Sequence, residues 1–505
     1  MQRITPDHPH ALYDTSATRR IEAAAAAALP PHTLMQRAGR ATARLALALA
    51  PHARTIWIAC GGGNNGGDGL EAATLLHRAG HRAVVTWLGT PDALPADARL
   101  SWQRAHEAGV PFADAPPPLG PQDLCVDALL GLGLTAQARA RPPDARLMAC
   151  LSHMHASAAP TLCVDLPSGL IADTGQYAPG LAMAGSPAAA RHTLALLTLK
   201  SGLFTAHGRD GAGSVWFDDL GVSTAEAPGA WLAGPPPATA RPHASHKGSH
   251  GDVAIVGGEG LAARGMGMTG AALLAASAAL HAGAGRVMLA LLDGGATGAL
   301  PQQPELMLRR FEALVLDRTT LVCGCGGGAA VAGVLPQVLQ QATRLVLDAD
   351  ALNAIAAEAP LQKLLHARSQ RPGCATVLTP HPLEAARLLG CDTGAVQADR
   401  LAAARALADR FGCTALLKGS GSVIAAPGQP PRINPTGNAL LGTGGTGDVL
   451  AGLVGARLAA APPTSAMAAF DAANHACWLH GAAADRWPQG QALTAGRLAR
   501  ALASR

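Results

Sequence analysis

Two glycine-rich segments of this 505-residue chain carry polar residues that could do chemistry. The first, Gly61–Gly69 (GGGNNGGDG), follows the apolar run Thr55–Cys60 and contains a GxGxxG pattern. An ordinary dinucleotide fingerprint is disfavoured, because the next apolar run has no acidic residue and Asp68 would face a pyrophosphate. Asn64, Asn65 and Asp68 instead predict polar ligand contacts on a glycine backbone. The alternative is a tight turn whose Asn and Asp side chains cap a helix.

Two aspartates follow later apolar runs of the same half. Asp127 lies in CVDALLGLGL and Asp165 lies in CVDLPSGL, and each precedes a glycine turn. Carboxylates at neighbouring strand ends converge on one edge of a parallel sheet. Such a pair suits cation binding through oxygen ligands or general acid–base chemistry. Either aspartate could alternatively be a helix cap.

The second segment, Asn434–Ala459, reads NPTGNALLGTGGTGDVLAGLVGARLA. Its Gly442–Gly447 stretch precedes an Ala/Leu-rich helical pattern, and successive amides before a helix form an anion-binding concavity. Asp448 lies where it could cap that helix and also reach a bound hydroxyl. No GxxxxGK followed by Ser or Thr occurs, so this is not a Walker loop. A simple turn is the alternative.

The elements that must position these loops are short apolar runs that alternate with helical patterns. This alternation predicts an α/β chain with parallel sheets covered by helices. A Pro/Gly/Ala-rich stretch at 224–242 predicts a linker between domains at 1–223 and 243–505. The strands predicted from the apolar runs are Thr55–Cys60, Ala83–Leu88, Leu124–Leu129, Thr161–Leu166, Thr193–Thr198, Gly251–Val256, Arg286–Leu292, Thr319–Cys323, Arg344–Asp348, Ala375–Leu378 and Thr414–Leu417. A helix is predicted to begin near Thr18.

Composition excludes several classes of protein. Half of the residues are hydrophobic (49%) and only 14% are charged, which argues against a disordered chain. No uninterrupted apolar stretch reaches the roughly 18 residues of a membrane span. The net charge of +5 comes from scattered arginines rather than a basic stripe, so no nucleic-acid partner is expected. Ten cysteines without regular pairing and an N-terminus without a secretory signal predict a cytoplasmic protein.

The N-terminal motifs resemble one family. NNGGDG, VDALLGLGL and VDLPSG, in this order and preceded by LMQRAG at Leu34–Gly39, are similar to the epimerase domain of bifunctional NAD(P)H-hydrate repair enzymes. The resemblance implies a Rossmann-like α/β/α domain with Asp165 as the proton-transfer group. It also implies a potassium ion held by Asn65, Asp127 and Ser168. The residues that it implies contact the hydrate of NADH or NADPH are Asn64, Asn65, Gly66, Gly67, Asp68, Gly131, Leu132, Gly133, Leu134, Thr135, Ala136, Gln137 and Asp165.

The motifs of the second half also resemble those of known enzymes. The GTGD ending of the second glycine loop is similar to ribokinase-like proteins. The segments SHKGSHGDVAIVGG, LDADALN, TPHPLEAARLLG and LLKGSGSVI are similar to ADP-dependent NAD(P)H-hydrate dehydratases. The family's usual Gly-Pro-Gly reads Gly-Cys-Gly at Gly324–Gly326. The resemblance implies nucleotide contacts by Lys418, Gly419, Ser420, Gly421, Ser422 and Gly447, and hydrate contacts by Ala271, Gly326, His381 and Asp448. From the residues alone, His381 could also be a turn histidine.

These similarities imply repair of hydrated NADH or NADPH in two steps. The N-terminal domain would interconvert the R and S epimers, and the C-terminal domain would dehydrate the S form with ADP and Mg²⁺, using Asp448 as base. A homo-oligomer, possibly a tetramer, is also implied. Of the four lysines, Lys200, Lys247 and Lys418 fall inside the similar motifs. Two alternatives are a ribokinase-type small-molecule kinase with a regulatory N-terminal domain, and a non-catalytic ligand-sensing or scaffold N-terminal half.

Overall fold

A computed structural model describes residues 1–134, 143–237, 242–261, 265–292, 300, 303–462 and 467–502. The chain divides into two compact units. Unit 1 comprises Met1–Thr5 with Ala11–Ala230, and unit 2 comprises Pro6–His10 with Trp231–Arg505. The Pro-rich stretch between the two halves contains a short strand, Ala230–Leu232.

Unit 1 is built around a largely parallel sheet. Its sheet order is β1-β9-β7-β6-β5-β3-β4, in which β1 pairs antiparallel with β9 and the other pairs are parallel. A separate parallel pair joins β2 and β8. The strands are β1 Gln2–Arg3, β2 His10–Tyr13, β3 Ile56–Cys60, β4 Ala83–Trp87, β5 Leu124–Ala128, β6 Thr161–Val164, β7 Arg191–Leu196, β8 Leu199–Lys200 and β9 Ser214–Asp218.

The helices of unit 1 cover this sheet. They are α1 Thr15–Ala28, α2 Thr33–Leu49, α3 Asn64–Arg78, α4 Ala96–Glu107, α5 Ala145–Ala156 and α6 Gly208–Gly211, with 3-10 turns at Pro91–Ala93 and Ser201–Leu203. Helix α1 begins at Thr15, three residues before the predicted start, because the Asp14 side chain accepts a hydrogen bond from the Ala17 amide at 2.7 Å and caps the helix there.

Unit 2 has a longer sheet with order β13-β12-β11-β14-β15-β16-β17-β18-β19-β10. Its pairs are parallel up to β17, and β17-β18-β19 then form an antiparallel meander. Strand β10 pairs parallel with β19. The strands are β10 Ala230–Leu232, β11 Asp252–Gly257, β12 Arg286–Leu291, β13 Met307–Leu308, β14 Thr320–Cys323, β15 Arg344–Leu347, β16 Ala375–Leu378, β17 Thr414–Leu417, β18 Val423–Ala425 and β19 Arg432–Ile433.

The helices of unit 2 supply the loops of its site. They are α7 Thr269–His281, α8 Val331–Gln341, α9 Ala349–Ala357, α10 Ala359–Ser369, α11 Pro382–Leu389, α12 Thr393–Ala398, α13 Arg400–Phe411, α14 Thr446–Ala460, α15 Ala468–Asp485 and α16 Ala495–Ala501, with 3-10 turns at Lys247–His250, Phe311–Ala313, Gly328–Ala330 and Ala439–Leu441. The α/β prediction is confirmed for both units. Among the residues that the structure describes, no helix has the length and apolarity needed to cross a bilayer.

Small residues explain how helix α14 reaches the sheet of unit 2. A Cβ atom at Gly452 would lie 2.0 Å from the backbone oxygen of Ala275 on α7, and one at Gly455 would lie 2.4 Å from a methyl of Val322 on β14. The alanine- and glycine-rich composition therefore lets α7 and α14 pack with their backbones nearly in contact. Since α14 begins at the second glycine loop, this packing fixes that loop against the sheet.

We predict that Gly452→Ala lowers the free energy of unfolding by about 1–3 kcal/mol, because the added methyl overpacks the α7–α14 contact. Gly333→Ala is the matched control on exposed α8, where a Cβ would meet nothing within 4 Å. That change is expected to stabilise the protein by roughly 0.5–1 kcal/mol, since glycine is costly inside a helix. Urea unfolding measures both. Equal stability changes for the two variants would contradict the packing argument.

Candidate active sites

Unit 1 contains a cavity of about 970 Å³ at the carboxyl ends of its parallel strands. The glycine loop after β3 forms one wall, and the Gly131–Leu134 segment after β5 forms another. Helix α1, at Glu22, and the turn after β6, at Asp165, complete it. This is the position at which open α/β sheets bind ligands.

The structure brings most of the predicted unit 1 residues to this cavity. Those that line it are Asn64, Asn65, Asp68, Gly131, Leu132, Gly133, Leu134 and Asp165. Gly66 and Gly67 lie beneath the lining, where a Cβ would come within 1.9 Å of the Gly61 oxygen or 2.6 Å of the Met35 sulfur. These two glycines therefore allow α3 to begin close to the strand ends. Thr135, Ala136 and Gln137 lie outside the described residues.

Asp165 is held in an ion pair with Lys200, whose side chain is fully buried. The Lys200 ammonium donates hydrogen bonds to Asp165 Oδ1 and, at 2.8 Å, to the carbonyl of Leu196. The Leu196 amide donates to the same Asp165 oxygen at 3.0 Å. Asp165 also has a φ of 65°, a left-handed conformation that is costly for a residue other than glycine. Such strain persists where surrounding contacts impose it, often at functional sites.

Two further carboxyls, Glu22 and Asp68, line the same cavity. Burial, together with the nearby charge of Asp165, raises the pKa of both side chains above their ordinary values, and the rise is large for Asp68. The cavity thus combines one lysine-paired carboxylate with carboxyls that resist ionisation. Glu22 was not predicted, because nothing near it on α1 marks a site.

An oxygen-rich cluster lies beside this cavity. Asp127 accepts hydrogen bonds from Ser168 Oγ at 2.5 Å and from the Ser168 amide at 2.9 Å. Asn65 Nδ2 donates to the carbonyl of Leu130 at 3.2 Å, and the Leu130 amide donates to Ser168 Oγ at 2.9 Å. The buried Asn65 Oδ1 atom has no hydrogen-bond partner in the described part of the chain. An orphaned buried oxygen beside a buried carboxylate fits a hard cation.

In unit 2, the second glycine loop leads into α14. Gly445, with a φ of 90°, precedes the first helical residue, Thr446. Nε2 of buried His480 lies 3.0 Å from the Thr446 carbonyl, and burial lowers the pKa of His480 to about 4, so Nε2 carries the proton and donates it. The neutral His480 side chain therefore fixes the backbone at the start of α14, where the Gly447 and Asp448 amides have no backbone partner among the described residues.

A chain of charged side chains connects the predicted unit 2 residues. The Lys418 ammonium lies 2.7 Å from Asp348 Oδ1 and 4.0 Å from Glu384 Oε2. Glu384 accepts a hydrogen bond from the His381 amide at 2.8 Å, and its other oxygen lies 3.2 Å from His381 Nε2. Because His381 Nδ1 accepts from the first amides of α11, its Nε2 carries the proton. Burial raises the pKa of Glu384 to about 7.

Asp448 lies next to this group of charged side chains and contacts Cys325. One ligand atom from each of Cys325, Asp348 and Asp448 lies within 4.8 Å of the others. Burial and the neighbouring Asp348 charge raise the pKa of Asp448 to about 6, while the Cys325 thiol and Lys418 oppose the rise. Burial also raises the pKa of Cys325 well above that of an ordinary thiol, so Cys325 acts as a neutral donor.

The remaining predicted residues surround this centre. A Cβ at Gly447 would lie 3.5 Å from the Lys418 ammonium, and one at Gly326 would lie 2.9 Å from Ala271 Cβ. The turn from Lys418 to Ser422 closes through a 3.1 Å hydrogen bond from Ser422 Oγ to the Gly419 carbonyl. Beneath it, the buried Arg400 guanidinium donates to the Lys418 carbonyl at 3.1 Å.

Several residues of this centre were not predicted from the sequence. Glu384 could have been found, because His381 and Glu384 form a capping box with the three-residue spacing of that motif. Asp348, Cys325 and Arg400 come from separate segments, and only the fold brings them beside Lys418.

Comparison with known proteins gave matches over both units. The family model described as NAD(P)H-hydrate dehydratase matches residues 255–504, and the model described as the YjeF-related protein N-terminus matches residues 31–202. A solved ADP/ATP-dependent NAD(P)H-hydrate dehydratase from Bacillus subtilis is 29% identical, covering 52% of this chain and 91% of its own, with a TM-score of 0.42.

Curated relatives extend the match to nearly the full length. The bifunctional NAD(P)H-hydrate repair enzyme of Escherichia coli is 36% identical, covering 94% of this chain and 90% of its own. That of Vibrio cholerae is 34% identical, covering 96% and 95%. The ADP-dependent (S)-NAD(P)H-hydrate dehydratase of Neisseria meningitidis is 41% identical over 52% of this chain and 85% of its own. The chain, with a YjeF-type N-terminal half and an NAD(P)H-hydrate dehydratase-type C-terminal half, therefore belongs to the family of bifunctional NAD(P)H-hydrate repair enzymes.

Proposed function

We propose that this protein repairs hydrated NADH and NADPH. Unit 1 interconverts the R and S epimers, and unit 2 uses ADP to return the S epimer to the reduced cofactor, releasing AMP and phosphate. The observation that carries the proposal is the presence of two chemically different centres in a chain similar over nearly its full length to bifunctional repair enzymes. A small-molecule kinase with a regulatory N-terminal half is disfavoured, because the family models match a dehydratase and its N-terminal companion.

The chemistry in unit 2 must convert hydroxide, a poor leaving group, into a good one. The hydroxyl on C6 of the hydrated ring attacks the β-phosphorus of ADP, its proton passes to Asp448, and AMP departs. The electron pair on ring nitrogen N1 then expels phosphate from C6, and loss of a C5 proton restores the dihydropyridine. With a pKa of about 6, Asp448 is mostly ionised at neutral pH and is suited to act as a base.

The anion loop supplies the charge stabilisation. In the Gly442–Gly447 loop, the amides of Thr443, Gly444, Gly445 and Gly447 have no backbone partner in the described part of the chain and would face the transferring phosphate. Preorganised donors of this kind are usually the largest catalytic contribution. Lys418 adds a point charge next to Gly447. We assign nucleotide contacts to Lys418, Gly419, Ser420, Gly421, Ser422 and Gly447, and hydrate contacts to Ala271, Gly326, His381 and Asp448. Mg²⁺ would accompany the phosphates of the nucleotide and offset part of their negative charge.

In unit 1, Asp165 is the group that takes the proton of the C6 hydroxyl during epimerisation. Lys200 pairs with its carboxylate and fixes the direction of the side chain. Asn65, Asp127 and Ser168 would hold a potassium ion, for which the orphaned Asn65 oxygen and the buried Asp127 carboxylate are fitting ligands. The ion would supply a fixed positive charge beside the cavity and favour the ionised form of Asp127.

The dehydratase assignment is tested by Asp448→Asn. The rate at which absorbance at 340 nm recovers from the S hydrate with ADP should fall about 10²–10⁴-fold in this variant, because it has no base. Since the base works when ionised, the wild-type rate should fall about tenfold per unit as pH drops below about 6. Asp409→Asn, on the exposed face of α13, is the control with an unchanged rate. Stable accumulation of a phosphorylated product without recovered cofactor would support the kinase instead.

The potassium assignment predicts faster epimerisation in potassium chloride than in tetramethylammonium chloride at equal ionic strength. Asn65→Ala removes the orphaned oxygen and should raise the potassium concentration needed for half-maximal rate by roughly tenfold or more. Glu107→Gln, at the exposed end of α4, should leave that concentration unchanged. Chromatography of the R and S forms provides the rate. Identical wild-type rates in the two salts would argue against a functional potassium site.

A further inference from the structure

Epimerisation at C6 needs more than the single base assigned above. The carbon carries both a hydroxyl and the ring nitrogen N1, so its configuration can invert by opening and reclosing the ring. Opening requires a base for the hydroxyl proton and an acid for N1. Because Asp165 forms an ion pair with Lys200, it is suited to be the base and not the acid. A second cavity group must therefore supply the proton.

The cavity contains two candidate acids, Glu22 and Asp68. Neither carboxyl has a hydrogen-bond or ion-pair partner among the residues that the structure describes, and both are only partly shielded from the cavity. An unpartnered carboxyl in a half-buried position is costly to ionise. Both side chains are therefore free to form their first hydrogen bond with a ligand.

The charges around the two carboxyls differ. Asp68 faces the carboxylates of Asp165, Glu22 and Glu71, with Lys200 as the cation that opposes them. Burial first, and then these carboxylates, raise its pKa well above the ordinary value.

Glu22 has a more cationic environment. Lys200 and Arg19 both favour its ionised form, against burial and the charges of Asp165 and Asp97. Of the two carboxyls, Asp68 therefore has the more anionic surroundings, which disfavour its ionised form. The cavity thus contains a lysine-paired carboxylate, suited to be a base, together with an unpartnered carboxyl whose surroundings disfavour its charge. Opposed environments of this kind distinguish the acid from the base in enzymes.

We propose that Asp68 is the catalytic acid of unit 1, complementing Asp165 as the base; this rests on the epimerase function proposed above. Asp165 takes the hydroxyl proton, the O–H electron pair forms the C6=O bond, and the C6–N1 pair moves to N1, which takes the proton of Asp68. The pair on N1 is conjugated with the ring carboxamide. Rotation about C5–C6 and reversal of the steps return both protons and give the other epimer, with no oxidant or co-substrate consumed.

The test uses the full-length protein and the pure S hydrate, with the R form measured by chromatography. Asp68→Asn should lower kcat for epimerisation by about 10²–10⁴-fold with KM changed less than threefold, because the amide keeps the size but gives no proton. Asp68→Glu should restore part of the rate. The wild-type rate should fall as pH rises through the pKa of Asp68, and this alkaline fall measures the acid even if a variant folds poorly. Asp92→Asn, an exposed change on the turn Pro91–Ala93, is the matched control.

The outcomes separate this inference from the function on which it rests. An inactive wild-type protein would overturn the epimerase function itself. An active wild-type protein with an Asp165→Asn variant that is inactive and an Asp68→Asn variant that is fully active would overturn only the acid assignment. A loss with Glu22→Gln but not with Asp68→Asn would do the same. Ring opening also predicts that the C6 oxygen is retained, so incorporation of one solvent oxygen-18 at every turnover would contradict the proposed step.

Discussion

Each site of this protein is organised by a lysine paired with a buried aspartate at the end of a parallel strand. Lys200 meets Asp165 in unit 1, and Lys418 meets Asp348 in unit 2. Removing one partner from a buried ion pair typically costs several kcal/mol, so each pair strongly constrains the loops that carry it. The paired aspartate places one negative charge in each site. Together with burial, this charge raises the pKa of the other carboxyls, Asp68 and Asp448.

The two sites use the same constraint for different chemistry. In unit 1 the lysine pairs with Asp165, while burial and the surrounding carboxylates raise the pKa of Asp68, a combination suited to reversible proton exchange. In unit 2 the ammonium of Lys418 also lies next to Gly447 of the anion loop. The pKa of Asp448, at about 6, is close to the pH at which a carboxylate base works well. The glycine loop completes the second site with backbone donors, which unit 1 does not need for epimerisation.

The sequence predicted the central strands and both glycine loops because buried parallel strands are short apolar runs bounded by glycine. The strand Ser214–Asp218, which lies between β1 and β7, and the short meander strands were missed, since half-exposed or three-residue strands lack such a run. Likewise, Asn65, Asp127 and Ser168 fall in recognisable motifs. Ser168 bonds to Asp127, and both Ser168 and Asn65 bond to the backbone of Leu130. Glu22 and Cys325 carry no local signal, because their position depends on how α1 and the turn after β14 pack.

The claim that two cooperating centres repair the whole hydrate pool is tested most directly with an equal mixture of the R and S hydrates of NADPH and excess ADP. If both centres work in one chain, absorbance at 340 nm should recover to the value of the fully reduced cofactor, at a rate above that of spontaneous epimerisation. Recovery that stops at half of that value and then rises only at the spontaneous rate would contradict the account, because it would leave unit 1 without activity.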